Sequence, residues 1–264
     1  MAESLLEGED GPVVVVNRDG ASPFVLVCEH AGNRIPKALG RLGLADADLS
    51  AHIAWDIGAE PMARLMAEAL DAPLLLQLYS RLVIDCNRPP DSPEAMCEVS
   101  ELTPIPGNRD LTADQRRARI DAVFTPFHDA VARLLDERAA QGRESILVTL
   151  HSFTPIYKGF QRPWHVGAQY NRAPELSHTI NALLAADPTL VIGDNVPYPV
   201  NDATHYTIPV HGEQRGIAHS MIEVRNDLIT HPAGQAVWAD KLGRVLTEAR
   251  SRMNHKEPRT GGGD

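Results

Sequence analysis

Pro23-Phe24-Val25-Leu26-Val27-Cys28 is followed without a break by Glu29-His30-Ala31-Gly32-Asn33-Arg34-Ile35-Pro36. The first six residues are apolar and rich in branched side chains. They are too few for a stable helix and read as a buried strand. The next eight are polar and turn-forming. Ligands in open α/β sheets bind outside the carboxyl ends of the strands, so this junction is where chemistry is expected.

The same pattern of strand, polar end and helix recurs along the chain. Gly58–Leu70 reads as a helix, with Ile57, Met62, Leu65, Met66 and Leu70 at helical spacing and Pro73 behind it. Leu74–Tyr79 reads as a second strand and Leu82–Asp85 as a third. Ser92–Asp110 carries Pro93, Pro104 and Pro106 with no clear period and is expected to be a long loop, of a length uncommon unless functional or mobile. Asp114–Arg143 is the longest helical pattern, its stripe running from Ile120 to Leu135, with Pro126 expected to kink or split it. Ser145–Leu150 reads as a strand ending at His151, Pro174–Ala186 as a helix, Leu190–Ile192 and Met221–Val224 as strands, and Gly234–Met253 as the closing helix.

Alternation of this kind predicts a single α/β domain over residues 1–253, three layers deep, with a mixed, largely parallel sheet flanked by helices. The Gly-rich end, residues 254–264, is expected to be a flexible tail. With 264 residues the chain is long enough to bury a core without disulfide staples.

Composition excludes several classes. The formal net charge of −10 argues against a nucleic-acid surface, which needs clustered Lys and Arg. Cys28, Cys86 and Cys97 are odd in number and not in CxxC spacing, so they read as reduced thiols of a cytoplasmic protein. Met1–Gly11 carries four acids and no base, the reverse of a signal peptide, and no apolar run approaches the ~20 residues of a membrane helix. The expected partner is a small molecule, with neither nucleic acid nor membrane; homo-oligomerisation stays open.

There is no GxxxxGK[ST] phosphate loop, GxGxxG turn, GxSxG elbow or HExxH pair. Four expected strand ends carry dense polar chemistry instead: Cys28–Pro36, Ser80–Pro89, Leu150–Pro155 and Met221–Asp227. Each residue also has a bland reading. A histidine at a strand end is often a satisfied polar group, Asn87-Arg88-Pro89 could begin a surface turn, and Glu223 with Arg225 could be an ion pair on one strand face. His205, His211 and His219 invite a second metal site but read better as surface or supporting histidines. Cys28 reads as a small core residue rather than a nucleophile.

Together the motifs EHAGNRIP (29–36), HIAWDIGA (52–59), SRLVIDCNRP (80–89), LHSFTP (150–155) and IEVRNDLI (222–229) resemble the N-formylglutamate amidohydrolase family. That family looks related to zinc carboxypeptidases and aspartoacylases. The resemblance implies a zinc-carboxypeptidase-like fold and a bound zinc, cobalt or other divalent metal. It implies cleavage of an N-acyl amino acid such as N-formyl-L-glutamate to formate and glutamate, closing a histidine-degradation route. Carried over, His30 and His151 are the zinc histidines, Asn87 and Arg88 grip the substrate carboxylate, Arg81 assists, Glu223 is the general base, and Arg225 follows it toward the substrate. The relatives' pattern places a ligating Glu where this chain has Asn33. The third ligand is therefore open between Asn33 and Asp56, and Asp56 has an alternative role as cap of the helix at Gly58. Two rivals remain: a carboxypeptidase- or aspartoacylase-like hydrolase of another N-acyl amino acid or short peptide, and a metal-free binding protein on the same fold. The segments 162–165 and 212–216 are expected to be loops that lid the pocket.

Overall fold

A computed structural model describes residues 5–256. Seven strands make the central sheet: β1 (Val13–Val16), β2 (Phe24–Cys28), β3 (Leu74–Gln77), β4 (Ile146–Phe153), β5 (Val166–Gln169), β6 (Ile192–Asp194) and β7 (Ala218–Arg225). Their order is β1-β3-β2-β4-β7-β5-β6. The four pairings β3/β2, β2/β4, β4/β7 and β5/β6 are parallel, whereas β1/β3 and β7/β5 are antiparallel. The sheet is thus mixed and largely parallel, as expected.

Period-2 alternation sorts the central strands into two cores. Leu26, Leu74, Leu76, Val148, Leu150, Ile222 and Val224 face α1 (Ala59–Leu70), and on the same side lie two later helices, Glu175–Leu184 and Pro232–Lys256. Val25, Val27, Leu75, Leu147 and Met221 face the opposite layer. There Val123, Phe124, Phe127, Val131, Leu134 and Leu135 come from α2, which runs as Ala113–Arg119, a π turn Ile120–Phe124 and Thr125–Ala140. The helices Glu175–Leu184 and Pro232–Lys256 are α3 and α4. Side chains of this kind contribute about 1.5–3 kcal/mol each when fully buried, so the two apolar faces hold the strands in register.

Three expectations change. Leu82–Asp85 is not a strand: Ser80 Oγ accepts from Leu82 N at 3.1 Å, and Val83 N donates to Ser80 O at 2.9 Å, which folds the apolar run into turns. The interruption expected at Pro126 takes the form of the π turn, which ends at Phe124; the α-helix resumes at Thr125 with Pro126 in its first turn, where a missing N–H is most easily accommodated. β4 runs on to Phe153, so His151 lies within the strand rather than after it. Asn254–Lys256 continue α4 rather than fraying, and the rest of the expected tail, residues 257–264, lies outside the described residues. No helix among the described residues is long and apolar enough to cross a membrane.

Candidate active site

The carboxyl ends of β2 and β4 are neighbours in the sheet, and this puts His30 and His151 face to edge with ring centroids 5.1 Å apart. Asp56 comes from the loop that enters α1. Its backbone N donates to His30 O at 3.0 Å, and Gly58 then turns the chain into the helix. Gly58 has φ +81°, and a Cβ there would sit 2.2 Å from Ile229 O, so only glycine fits the turn. The Asp56 side chain does not cap the helix. Its Oδ2 accepts from Ser152 N at 3.2 Å and lies 2.9 Å from His151 Nδ1 and 3.3 Å from His30 Nδ1.

One nitrogen from each histidine and one carboxylate oxygen of Asp56 therefore lie within 4.8 Å of one another, all buried. Two imidazoles and a carboxylate are the donor set of catalytic zinc sites. The other ring nitrogens also face acids: His30 Nε2 is hydrogen-bonded to Asp85 Oδ1 at 2.8 Å, whereas His151 Nε2 lies 3.2 Å from Glu29 Oε2 at ion-pair distance without hydrogen-bond geometry. Metal-ligating histidines commonly have this backing, because it fixes the ring and raises its basicity. On its donors and their supports the cluster fits a divalent cation. Asn33 is elsewhere, its amide donating to Leu49 O at 2.8 Å, so it does not join the cluster.

Charge balance follows from these contacts. Burial would raise the Asp56 carboxyl, but His30 and His151 outweigh it and hold it well below the usual carboxylate range. Burial and Arg81 push the His30 imidazole down, and Asp85 with Asp56 push it further up, so its net shift is upward. His151 is likewise raised against burial, by Glu29 and Asp56.

Glu223 stands next to His151 on β7, at the partnered position of the parallel pair, and is 5% exposed. Its Oε2 has no hydrogen-bond partner among the described residues. Burial pushes its carboxyl up to about 7; the charge of His151 offsets part of this and that of Asp56 adds to it. A buried carboxylate with a free oxygen and a pKa near neutrality is suited to general-base work.

These groups share a cavity of about 410 Å³. Arg81 lines it, its Nε and an Nη bound to Asp85 Oδ2 at 3.0 and 2.6 Å and its other Nη 3.5 Å from Asp56 Oδ1. Arg88 lines it too, donating to Thr204 O with its side chain 19% exposed, so it is not a surface turn residue. Asn87 is a wall residue whose Oδ1 accepts from Tyr206 N and Thr207 N at 3.2 and 3.3 Å.

A family model described as N-formylglutamate amidohydrolase matches residues 22–230. The chain belongs to the N-formylglutamate amidohydrolase family. The chain is 28% identical to N-formylglutamate deformylase of Pseudomonas aeruginosa over 182 residues, 65% of this chain and 64% of that relative, so the match spans just under two thirds of the relative's length. The crystal structure of gene product Atu2144 from Agrobacterium tumefaciens is 41% identical, with TM-score 0.92 over 96% of this chain and all of that one. N-formylglutamate amidohydrolase from Ralstonia eutropha JMP134 shares the fold, at TM-score 0.67 and 18% identity, over 93% of this chain and all of that one.

The segment matched to the amidohydrolase family contains all five motifs, but not every expected site residue reaches the cavity. Arg225 does not line it: its Nε donates to Asp227 Oδ1 at 2.8 Å and an Nη to Trp164 O at 3.4 Å. That pairing also leaves Glu223 without the ion-pair partner that the sequence alone allowed. Neither 162–165 nor 212–216 lines the cavity; residues of the turns around Glu101 and Lys158 do, tied by Lys158 N donating to Glu101 Oε1 at 2.9 Å. Asp85 and Glu29 were not singled out from sequence. An acid closing an apolar run, and one beside His30, were the available signals. His205, His211 and His219 are buried rather than on the surface, and His205 lines the cavity.

Proposed function

We propose that this chain is a cytoplasmic, metal-dependent amidohydrolase that cleaves the amide bond of an N-formyl amino acid, with N-formyl-L-glutamate as the preferred substrate. The observation that carries the reading is the meeting of His30, Asp56 and His151 in one cavity beside Glu223, whose Oε2 has no hydrogen-bond partner among the described residues. The family match and the Pseudomonas deformylase support the substrate class. Formate and glutamate are then the products, which suits a closing step of histidine degradation.

The three residues would hold zinc, cobalt or another divalent ion. When bound, such an ion polarises the acyl oxygen and acidifies water. Everything else falls to side chains. Glu223 Oε2 takes a proton from the attacking water and returns it to the leaving amine. General acid–base catalysis of this kind is worth about 10²–10⁴ in rate. Arg81 stands by with positive charge for the oxyanion of the tetrahedral intermediate, held in place by Asp85. Arg88 presents a planar fork to the substrate carboxylate, which bonds both oxygens at once. Asp56 stands where it could supply the carboxylate that Asn33 lacks, which supports this reading over a metal-free binding protein.

The test is a hydrolysis screen of N-formyl and N-acetyl amino acids with added Zn²⁺ or Co²⁺. Turnover concentrated on N-formyl acidic amino acids supports the proposal. Turnover of N-acetyl or peptide substrates alone, or of none, overturns it.

A further inference from the structure

His205 sits in the cavity wall on a segment clamped from both sides. Before it, Asn201 Oδ1 accepts from Ala203 N and Thr204 N, both at 3.0 Å; after it, Asn87 Oδ1 holds Tyr206 N and Thr207 N. The ring itself is fixed by its Nδ1, which faces Asn201 N at 3.4 Å and Thr204 Oγ1 at 3.1 Å. A backbone N–H can only donate, so Nδ1 must accept and the ring proton belongs on Nε2. Among the described residues that Nε2 makes no hydrogen bond and is not sealed from solvent, which leaves it facing the cavity that His205 lines. Arg88 is adjacent, since it donates to the carbonyl of Thr204, the residue immediately before His205.

We propose that His205 is a specificity-determining residue whose uncharged Nε2–H donates a hydrogen bond to the carboxylate of the acylated amino acid, beside Arg88. The inference rests on the reading above that the substrate is an N-acyl amino acid. It also gives Asn87 a role that differs from gripping substrate: Asn87 positions His205. Burial, reinforced by the charge of Arg88, pushes the His205 imidazole down to about 3, so the ring stays neutral while it donates. A neutral donor suits this place. Arg88 already supplies charge, and a second cation against it would be repelled, whereas an N–H adds direction and rejects a carboxamide that turns its own N–H toward it.

The test uses the full chain loaded with Zn²⁺ and measures kcat and KM on N-formyl-L-glutamate and on its C-terminal amide. His205→Phe removes the donor and keeps the ring; His205→Gln keeps an N–H near the Nε2 position. A hydrogen bond to a charged group predicts that His205→Phe raises KM for the acid about 10–100-fold, with kcat little changed and the amide unaffected, and that His205→Gln recovers most of the loss. Equal losses on acid and amide, or a loss confined to kcat, would place the donor on the acyl oxygen and overturn the proposal, as would no change. If the wild-type chain hydrolyses neither compound, it is the functional reading that fails. A second measurement then decides the inference: ¹⁵N NMR of the ring, assigned with His205→Gln. Protonation on Nε2 and a shift of that signal on adding N-acetyl-L-glutamate, but not its amide, supports it; protonation on Nδ1 or an unmoved signal refutes it.

Discussion

Glu223 and His151 occupy partnered positions on adjacent parallel strands and face one cavity, yet only His151 is tied to neighbouring acids. Among the described residues, Glu223 Oε2 has no hydrogen-bond partner. Glu223→Gln preserves volume and the neutral form, so fold and metal content should stay as in the wild type. Turnover should fall 10²-fold or more, the size of a lost general base. Steady-state kinetics with metal analysis on the same preparation check this. A near wild-type rate would reduce Glu223 to a buried bystander.

The cluster predicts which variants lose metal. His30→Ala and His151→Ala should abolish tight binding and activity, and Asp56→Ala should weaken binding strongly, whereas Asn33→Ala should leave metal content intact because its amide serves Leu49 O. Since the acids around them raise both histidines, a cation must displace protons that the metal-free site holds firmly. Affinity should therefore rise with pH, and chelator competition at pH 6 and pH 8 reads it. Equal affinity at both values would mean that the ligands are not these histidines.

Arg88 lines the cavity with most of its side chain covered. Arg88→Lys keeps the charge but loses the fork. kcat/KM for an N-formyl acidic amino acid should fall roughly 10–100-fold, while the corresponding C-terminal amide should be hardly affected. An unchanged ratio of acid to amide would remove Arg88 from carboxylate recognition.

His128 and His211 give the protein an acid sensitivity separate from catalysis. His128 Nδ1 lies 3.0 Å from His211 Nε2, and burial together with the charge of its partner pushes His128 down to about 3. Its folded pKa lies below the unfolded value near 6.5, so its contribution is complete above about pH 6.5 and is lost as pH falls toward 3. Between pH 7.5 and pH 5 this amounts to about 2 kcal/mol, at 1.36 kcal/mol per pH unit below 6.5. Urea unfolding of the wild type and His128→Gln at both pH values measures it: the stability gap between them should shrink by that amount at pH 5. A gap independent of pH would show that His128 titrates alike in both states.

Much of this was legible in the chain. The strands that carry His151 and Glu223, and the one that ends just before His30, are apolar runs with sharp polar ends, and strand periodicity finds them. Asp56 was reached only as one of two alternatives, because nothing local shows that Gly58 aims its carboxylate back at the histidines. Asp85 was hidden inside an expected strand, since Ser80 turns Leu82–Asp85 by hydrogen bonds that an apolar pattern does not reveal. β5 went unseen because Val166-Gly167-Ala168-Gln169 has little bulk, and a Cβ at Gly167 would meet Gly193 O at 2.4 Å. Arg225 was placed toward the substrate by the resemblance alone. At the strand's end, Asp227 takes its guanidinium.

The central claim is hydrolysis of an N-formyl amino acid at the cation held by His30, Asp56 and His151. The most direct measurement follows formate release from N-formyl-L-glutamate as Zn²⁺ is titrated into chelator-stripped protein. The account predicts no activity in the stripped protein and a rise to a plateau at one equivalent per chain. Full activity in the stripped protein, or none at any metal concentration, would contradict it.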